Sequence, residues 1–198
     1  MKKQVEFYFD VGSPTAYLAW KQLPNICAQQ EAELVLKPIL LGGVFKATGN
    51  AAPMMVPAKG KWLQTDIHRF AKRYGVALNF NPHFPINTLP LMRAIVAVQA
   101  YQPEQLTAFV DTLFQAIWVD KENMGDAVVI GRVLTAAGFD AEALQEQTQD
   151  AAIKDKLKTL TSEAVERGAF GAPTMFVGDD MFFGQDRLDF VEEVLQGQ

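Results

Sequence analysis

The hydrophobic pattern at the start of the chain predicts a strand that leads directly into a helix. Over residues 5–10, apolar side chains alternate with polar or amphipathic ones, which is the period of a β-strand. Gly12 interrupts the alternation, Ser13 can cap a helix with its hydroxyl, and Pro14 suits the first helical position. Helical spacing then continues to about Gln29. A hydroxyl is therefore expected at the positive end of a helix, where backbone N–H groups and the helix dipole attract anions.

The chain beyond this helix predicts a second strand and then a long series of helices. Residues 33–40, ELVLKPIL, are rich in branched apolar side chains, which predicts a strand. Its connection to the first strand is long enough for a right-handed crossover, so the two strands should be parallel. Residues 41–60 are rich in glycine and proline and lack a clean period, which predicts a long loop. Residues from about 60 to 160 predict consecutive helices, interrupted by a second loop at 79–88.

Capping residues mark the helix starts along this stretch. The side chains suited to helix N-termini are those of Thr88, Asp126, Asp140 and Asp150. Pro103 can open a further helix, which would run to Trp118.

The C-terminal segment returns to strand periodicity. Residues 174–177 and 181–183 predict two short strands, and the Gly-Asp-Asp turn between them is a hairpin signal. Gln185 and Asp186 open a terminal helix. The whole order is βαβ, a helical block, and then ββα. This order is typical of thioredoxin, so the predicted class is α/β, with a thioredoxin-like domain and an all-helical domain inserted between its halves.

The domain boundaries follow from this order. We expect residues 1–45 and 168–198 to form the thioredoxin-like domain and residues 46–167 to form the inserted helical domain. A chain of 198 residues is long enough to bury one core with such an insertion.

Composition narrows the classes of function. The net charge of −5 and a pI near 5.1 argue against a general nucleic-acid binder. No apolar run approaches the roughly 18 residues of a membrane span, and the N-terminus lacks the apolar core of a secretory signal. The single cysteine, Cys27, excludes an internal disulfide and fits a reducing compartment. A cytoplasmic protein that binds neither nucleic acid nor membrane is therefore expected.

The strand-to-helix junction is the first candidate for chemistry. In thioredoxin-like folds a reactive C-x-x-C pair lies at this junction, and the helix terminus stabilises its thiolate. Here Ser13, Pro14, Thr15 and Ala16 occupy those positions, so the chain cannot perform dithiol exchange. Ser13 is either a simple helix cap or a hydrogen-bond donor to a thiolate that comes from another molecule.

Two segments near the C-terminus are further candidates. The Ala172–Pro173 bond is either trans, ending the preceding helix, or cis, facing the active helix end. In the second case the backbone N–H and C=O of Ala172 could pair with a bound peptide. Asp186 either caps the last helix or, together with Gln185, binds the ammonium and carboxylate of a γ-glutamyl group.

Polar residues of the two predicted loops leave two interpretations open. Exposed lysines are usually solvated, but a lysine that faces an apolar pocket would bind the carboxylate of an anionic substrate. The candidates are Lys46, Asn50, Lys59 and Asn87. His68 and His83 share no metal-like spacing with each other or with Cys27, so no metal site is expected.

These motifs together resemble the family of 2-hydroxychromene-2-carboxylate isomerases and kappa-class glutathione transferases. The segments that carry the resemblance run through the whole chain in order: FYFDVGSPTAYLA, GGVFKATGN, the helix from VPAKGKW to RFAKRYG, FPINTL, GAFGAPTMFVGDD and MFFGQDRL. The resemblance implies a thioredoxin domain with a helical insertion, glutathione as the thiol cofactor and, frequently, a homodimer.

The resemblance also implies roles for individual residues. Ser13 would stabilise the glutathione thiolate. The remaining glutathione contacts would be Pro14, Thr15, Asn50, Ala172, Pro173, Gln185 and Asp186. Lys46 lies close to a substrate-contacting lysine of the isomerases, and Lys46 and Asn87 are the two predicted substrate contacts. Phe182 and Phe183 replace the tryptophan-rich pair common in the isomerases, so the pocket and its substrate can differ.

The function implied is a glutathione-dependent isomerase acting on a small aromatic carboxylate of the 2-hydroxychromene-2-carboxylate type. The nearest alternative is a kappa-like glutathione transferase or peroxidase. A second alternative, of a different class, is a thioredoxin-fold module that binds peptides without catalysis.

Overall fold

The structure, a computed structural model, describes residues 3–197 and contains one mixed four-stranded sheet. The strands are β1 (Gln4–Phe9), β2 (Glu33–Pro38), β3 (Thr174–Val177) and β4 (Asp180–Phe183), arranged in the order β2-β1-β3-β4. β1 and β2 are parallel, whereas β3 is antiparallel to both β1 and β4. All four predicted strands are therefore present, and the crossover and the hairpin have the predicted directions.

The strands are followed or preceded by helices that account for most of the described chain. These are α1 (Pro14–Gln29), α2 (Leu41–Thr48), α3 (Pro57–Tyr74), α4 (Leu89–Tyr101), α5 (Leu106–Trp118), α6 (Ala127–Ala136), α7 (Ala141–Gln147), α8 (Ala151–Glu166) and α9 (Leu188–Gln196). Single 3-10 turns occupy Pro53–Met55, Pro103–Gln105 and Gln185–Arg187. Across the described residues no helix combines the length and apolar character needed to cross a membrane.

The central strand β1 is buried on both faces. Phe7 and Phe9 lie in the main hydrophobic cluster, which α1, α5 and α9 also build. Tyr8 points to the opposite face and packs in a second cluster with Phe176 and with Ala164 of α8. The alternation over residues 5–10 therefore separates two buried faces rather than a buried face from a solvated one. A slip of one residue would put Glu6 and Tyr8 in the main cluster in place of Phe7 and Phe9, so the side-chain pattern fixes the register of β1 and with it the position of the turn that follows.

The prediction of one long loop over residues 41–60 was wrong. Residues 41–48 form α2, a 3-10 turn follows, and α3 begins at Pro57. α2 starts without a side-chain cap and contains Gly42 and Gly43, so local propensity alone does not favour it. Tertiary bonds hold its start: Thr161 accepts a hydrogen bond from the Leu40 N–H, and Asp10 accepts one from the Leu41 N–H.

Of the four N-caps predicted for the helical stretch, three function as predicted. Asp126, Asp140 and Asp150 each accept a hydrogen bond from a backbone N–H in the first turn of their helix. Thr88 precedes α4 but does not cap it, because its hydroxyl donates to Asp10 instead. The side chain of Asn87 accepts from the Leu89 N–H at this helix start.

The boundaries at residues 45 and 168 stay a prediction. Residues 1, 2 and 198, which the predicted thioredoxin-like segments include, lie outside the described part of the chain. The main cluster includes residues from both predicted domains, such as Phe9 of β1 and Phe114 of α5, whose ring centroids are 6.0 Å apart.

Candidate active site

A cavity of about 410 Å³ opens beside the start of α1. Its walls come from distant parts of the chain: the β1–α1 junction, α2, the first half of α3, the loop before β3, and the end of β4. Most of the lining is apolar and aromatic, with a few polar groups, and this volume is within the range of small-molecule sites. Seven of the ten predicted site residues line it: Ser13, Pro14, Thr15, Asn50, Ala172, Gln185 and Asp186.

Ser13 is the N-cap of α1, as the first interpretation predicted. Its Oγ accepts a hydrogen bond from the Ala16 N–H at 3.1 Å and donates to the Ala172 carbonyl at 3.0 Å. The hydroxyl oxygen of Thr15 lies 2.9 Å from Ser13 Oγ. The Thr15 N–H has no hydrogen-bond partner among residues 3–197. The helix end thus offers the cavity one free N–H and two hydroxyl groups that can reorient.

The loop before β3 lies directly beside the start of α1 in the cavity wall. The Ala172–Pro173 bond is cis, and Pro173 is buried directly behind the cavity wall. The Asn50 side chain spans to this loop by donating to the Phe170 carbonyl at 2.8 Å. The rings of Phe170 and Phe183 lie 4.4 Å apart and complete the wall.

The turn after β4 supplies a buried amide and a carboxylate. Gln185 is only 5% exposed, yet its side chain has no hydrogen-bond partner within the described part of the chain. Asp186 pairs with its neighbour Arg187 at 2.7 Å. Gly184 precedes them with φ of 100°, and a Cβ there would lie 2.4 Å from the Asp186 carboxylate. The turn therefore requires glycine at this position.

The two predicted substrate contacts do not meet at the cavity. Lys46 is exposed on α2, where the preceding residue Phe45 lines the cavity instead. Asn87 is exposed and bonded at the start of α4. Lys59, in the first turn of α3, is the lysine that lines the cavity.

The aromatic wall was not predicted. Its members include Phe45, Trp62, Phe80 and Phe84. The helical spacing of apolar residues from about residue 60 gave a partial signal, because Leu63 and Ile67, four residues apart on α3, both line the cavity. The loop at 79–88 is held in place by Asn81, whose buried amide donates to two backbone carbonyls, each at 2.9 Å.

A buried carboxylate supports the site from behind. Asp10 is 1% exposed and accepts hydrogen bonds from the Gly12 N–H, the Leu41 N–H and the Thr88 hydroxyl. Burial raises the pKa of Asp10, although the bonds from Leu41, Gly12 and Thr88 act in the opposite direction. Its carboxylate joins the segments that precede α1, α2 and α4.

Comparison with known proteins assigns the chain to a family. A family model described as a DSBA-like thioredoxin domain matches residues 4–196. The 2-hydroxychromene-2-carboxylate isomerase of Sphingobium xenophagum is 34% identical, over 98% of this chain and 99% of that protein. Glutathione S-transferase kappa 1 of Rattus norvegicus is 30% identical, over 96% of this chain and 90% of that protein. The chain belongs to this thioredoxin-like family of isomerases and kappa-class transferases.

A solved member of the family has the same architecture. The structure of a 2-hydroxychromene-2-carboxylate isomerase superposes with a TM-score of 0.86 at 29% identity and covers 98% of this chain and 94% of that one. The predicted family and the thioredoxin-like α/β class are therefore confirmed. The roles of individual site residues stay predictions.

Proposed function

We propose that the protein is a glutathione-dependent isomerase of a small aromatic carboxylate of the 2-hydroxychromene-2-carboxylate type. The observation that carries the proposal is a serine-capped helix end with a free N–H, opening into an aromatic-lined cavity. Such an end stabilises an anion, and no cysteine of the chain lies there to form one. The family relationship to named isomerases and glutathione transferases supports glutathione as its source.

The residues around the cavity fit glutathione in three parts. The sulfur would lie at Ser13 and the Thr15 N–H, and the cysteinyl backbone would pair with Ala172 in front of Pro173. The unpartnered amide of Gln185 and the carboxylate of Asp186 would bind the γ-glutamyl end. Asn50 would close the loop over the ligand.

The chain's own contribution is to hold the thiol deprotonated and the substrate in place. A free thiol has a pKa of about 8.5 and is mostly protonated at neutral pH. The Ser13 hydroxyl can turn from the Ala172 carbonyl to the sulfur, and together with the helix end it favours the thiolate. When bound, glutathione would supply a thiolate that adds reversibly to a conjugated keto acid and so permits rotation about one carbon–carbon bond. Lys59 would hold the substrate carboxylate against the aromatic wall.

The second candidate is a kappa-like transferase, which the relationship to the kappa 1 enzyme supports. It would share the thiol site but release a stable conjugate, or turn over a peroxide.

The proposal also includes a location and an assembly. The cytoplasmic location was expected from composition, and the homodimer is implied by the family resemblance. Both can be checked, the first by fractionation and the second by sedimentation.

The decisive experiment measures equilibration of 2-hydroxychromene-2-carboxylate with and without glutathione. The proposal expects a rate that depends on glutathione without consuming it. A rate indifferent to glutathione would exclude the mechanism, and net formation of a conjugate would favour the transferase. Absence of specific glutathione binding in calorimetry would leave the non-catalytic peptide module as the better interpretation.

The Ser13→Ala variant separates catalysis from capping. It should lose about 1 kcal/mol of unfolding free energy as a cap and roughly two orders of magnitude of activity as a donor to the thiolate. Asp140→Ala removes an exposed cap from α7 and is the matched control. It should lose similar stability and no activity. Equal loss of activity in the two variants would mean that Ser13 is only a cap.

A further inference from the structure

A tyrosine outside the cavity holds the turn that would recognise the γ-glutamyl group. Tyr74 is the last residue of α3, and its hydroxyl donates to the backbone carbonyl of Gln185 at 2.6 Å. Tyr74 does not line the cavity. Any effect of Tyr74 on a ligand there is therefore indirect, and the bond to the Gln185 carbonyl connects it to the Gln185–Arg187 turn.

Other bonds hold the neighbours of Gln185 in this turn: Arg187 pairs with the Asp186 carboxylate, and the Gly184 N–H donates to the Pro173 carbonyl. For Gln185 itself, the side-chain hydrogen bond that the described residues supply is the one from Tyr74. The segment is a single 3-10 turn without a side-chain cap, introduced by Gly184 in a left-handed conformation. The side chains of Gln185 and Asp186 reach the cavity from it. The direction of a side chain depends on the orientation of the backbone that carries it. A bond to the backbone carbonyl of Gln185 therefore helps to set the direction of the Gln185 side-chain amide.

The bond also joins two of the segments that line the cavity, α3 and the turn after β4. α3 contributes Lys59, Leu63 and Ile67 to the lining, and the turn contributes Gln185 and Asp186. Burial raises the pKa of Tyr74 to about 12, so its hydroxyl remains a donor throughout the pH range in which a thiolate is studied.

Tyr17 provides a natural comparison within the same fold. Its hydroxyl donates to the Ala77 carbonyl at 2.7 Å, just beyond the end of α3, and burial raises its pKa to about 12 as well. It too links the end of α3 to another element, but its acceptor is not part of the cavity wall. The two hydroxyls thus make equivalent bonds with different acceptors.

We propose that Tyr74 is a positioning residue for γ-glutamyl recognition, acting by fixing the Gln185–Arg187 turn. This inference rests on the proposed function, in which glutathione is the thiol. It predicts that the Tyr74 hydroxyl contributes to the affinity for any thiol that carries a γ-glutamyl group and not to the affinity for a thiol without one.

The test compares three thiols by calorimetry, so that no aromatic substrate is needed. Glutathione and γ-glutamylcysteine both carry the γ-glutamyl group, whereas cysteinylglycine lacks it. Tyr74→Phe should raise the Kd of the first two by about five- to tenfold, the effect of one misplaced hydrogen-bonding group. The Kd of cysteinylglycine should stay within about twofold of the wild-type value.

Tyr17→Phe is the matched control, and a double variant tests the route of the effect. Tyr17→Phe should lower the melting temperature as much as Tyr74→Phe does and leave all three Kd values unchanged. In a Gln185→Ala background, Tyr74→Phe should lose most of its effect, because the side chain that it positions is gone. In the turnover assay, Tyr74→Phe should raise the KM for glutathione, while kcat should stay within about twofold of the wild-type value.

The outcomes separate this inference from the proposal on which it rests. If wild type binds glutathione but Tyr74→Phe weakens all three thiols equally, or no more than Tyr17→Phe does, the positioning role is refuted and the proposed function stands. If wild type binds none of the three, the proposed function falls and this inference with it.

Discussion

Two exposed lysines differ in their position relative to the cavity and should differ in function. Lys59 lines the cavity from the first turn of α3, whereas Lys46 lies on α2 outside the lining. A cation at the apolar lining of the cavity attracts a carboxylate bound there more strongly than a cation outside the cavity does, because water screens the outer cation. Lys59→Gln should therefore raise the KM for the aromatic carboxylate by about tenfold, measured in the glutathione-dependent assay.

Lys46→Gln is the control for this prediction, since it removes the same charge from a residue whose neighbour, Phe45, lines the cavity. It should leave KM within about twofold of wild type. If Lys46→Gln had the larger effect, the residue implied by the family resemblance would be the substrate contact after all, and α2 would have to rotate when the substrate binds.

The polar half of the candidate site could be predicted from sequence because its signals are local. Ser13 and Asp186 stand at helix starts, and Ala172 precedes a proline at a strand entry, so each is visible within a few residues. The aromatic half could not. Trp62 and Phe84 reach the cavity because α3 packs against α1 and the 79–88 loop is bonded to the end of α5, and neither contact can be predicted from the spacing of residues along the chain.

Three helix starts depend on one buried carboxylate. Asp10 accepts bonds from the segments that begin α1, α2 and α4. Asp10→Ala would leave two backbone N–H groups and one hydroxyl without an acceptor in the interior, so we expect a loss of about 3 kcal/mol in unfolding free energy. Denaturant titration monitored by tryptophan fluorescence would measure it.

Asp126→Ala gives the scale for comparison, because Asp126 is an exposed cap that serves only α6. The Asp126→Ala variant should lose about 1 kcal/mol of unfolding free energy. Equal losses in the two variants would show that water replaces Asp10 and that the three helix starts are independent of it.

The same carboxylate explains why α2 was missed. Its glycines and its uncapped start lower its intrinsic propensity, and the groups that stabilise its first turn, Asp10 and Thr161, lie far away in the sequence. The helices α6, α7 and α8 have an aspartate cap within their own sequence, and all three were predicted. A cap supplied by a residue next to the helix could be predicted from the sequence, whereas a cap supplied by residues far away in the sequence could not.

At the scale of the whole molecule, one charged cluster joins the two halves of the predicted thioredoxin-like domain. Glu6 of β1 forms ion pairs with Lys37 of β2 and with Arg167, which follows α8. Arg167 also donates to the Tyr8 hydroxyl and to the Gly178 carbonyl in the β3–β4 turn. The cluster therefore connects the N-terminal βαβ segment to the C-terminal hairpin across the sheet.

The pH dependence of stability should report this connection. Burial of Glu6 alone would raise its pKa, but the hydrogen bonds and charges of Arg167 and Lys37 hold that pKa below its ordinary value of 4.5. The folded state therefore releases this proton more readily than the unfolded state. The resulting stability is fully present above the unfolded pKa and is lost as pH falls through the lower, folded pKa.

Glu6→Gln should consequently destabilise the protein by about 1 kcal/mol near neutral pH, where the charge is present. The difference between wild type and variant should shrink as the pH is lowered below 4.5, because the wild-type carboxylate then becomes protonated and resembles glutamine. Urea titrations at a series of pH values measure both quantities. Glu163→Gln, an exposed change on α8, should follow wild type throughout. A difference for Glu6→Gln that stays constant down to strongly acidic pH would mean that side-chain packing, rather than charge, joins the two halves.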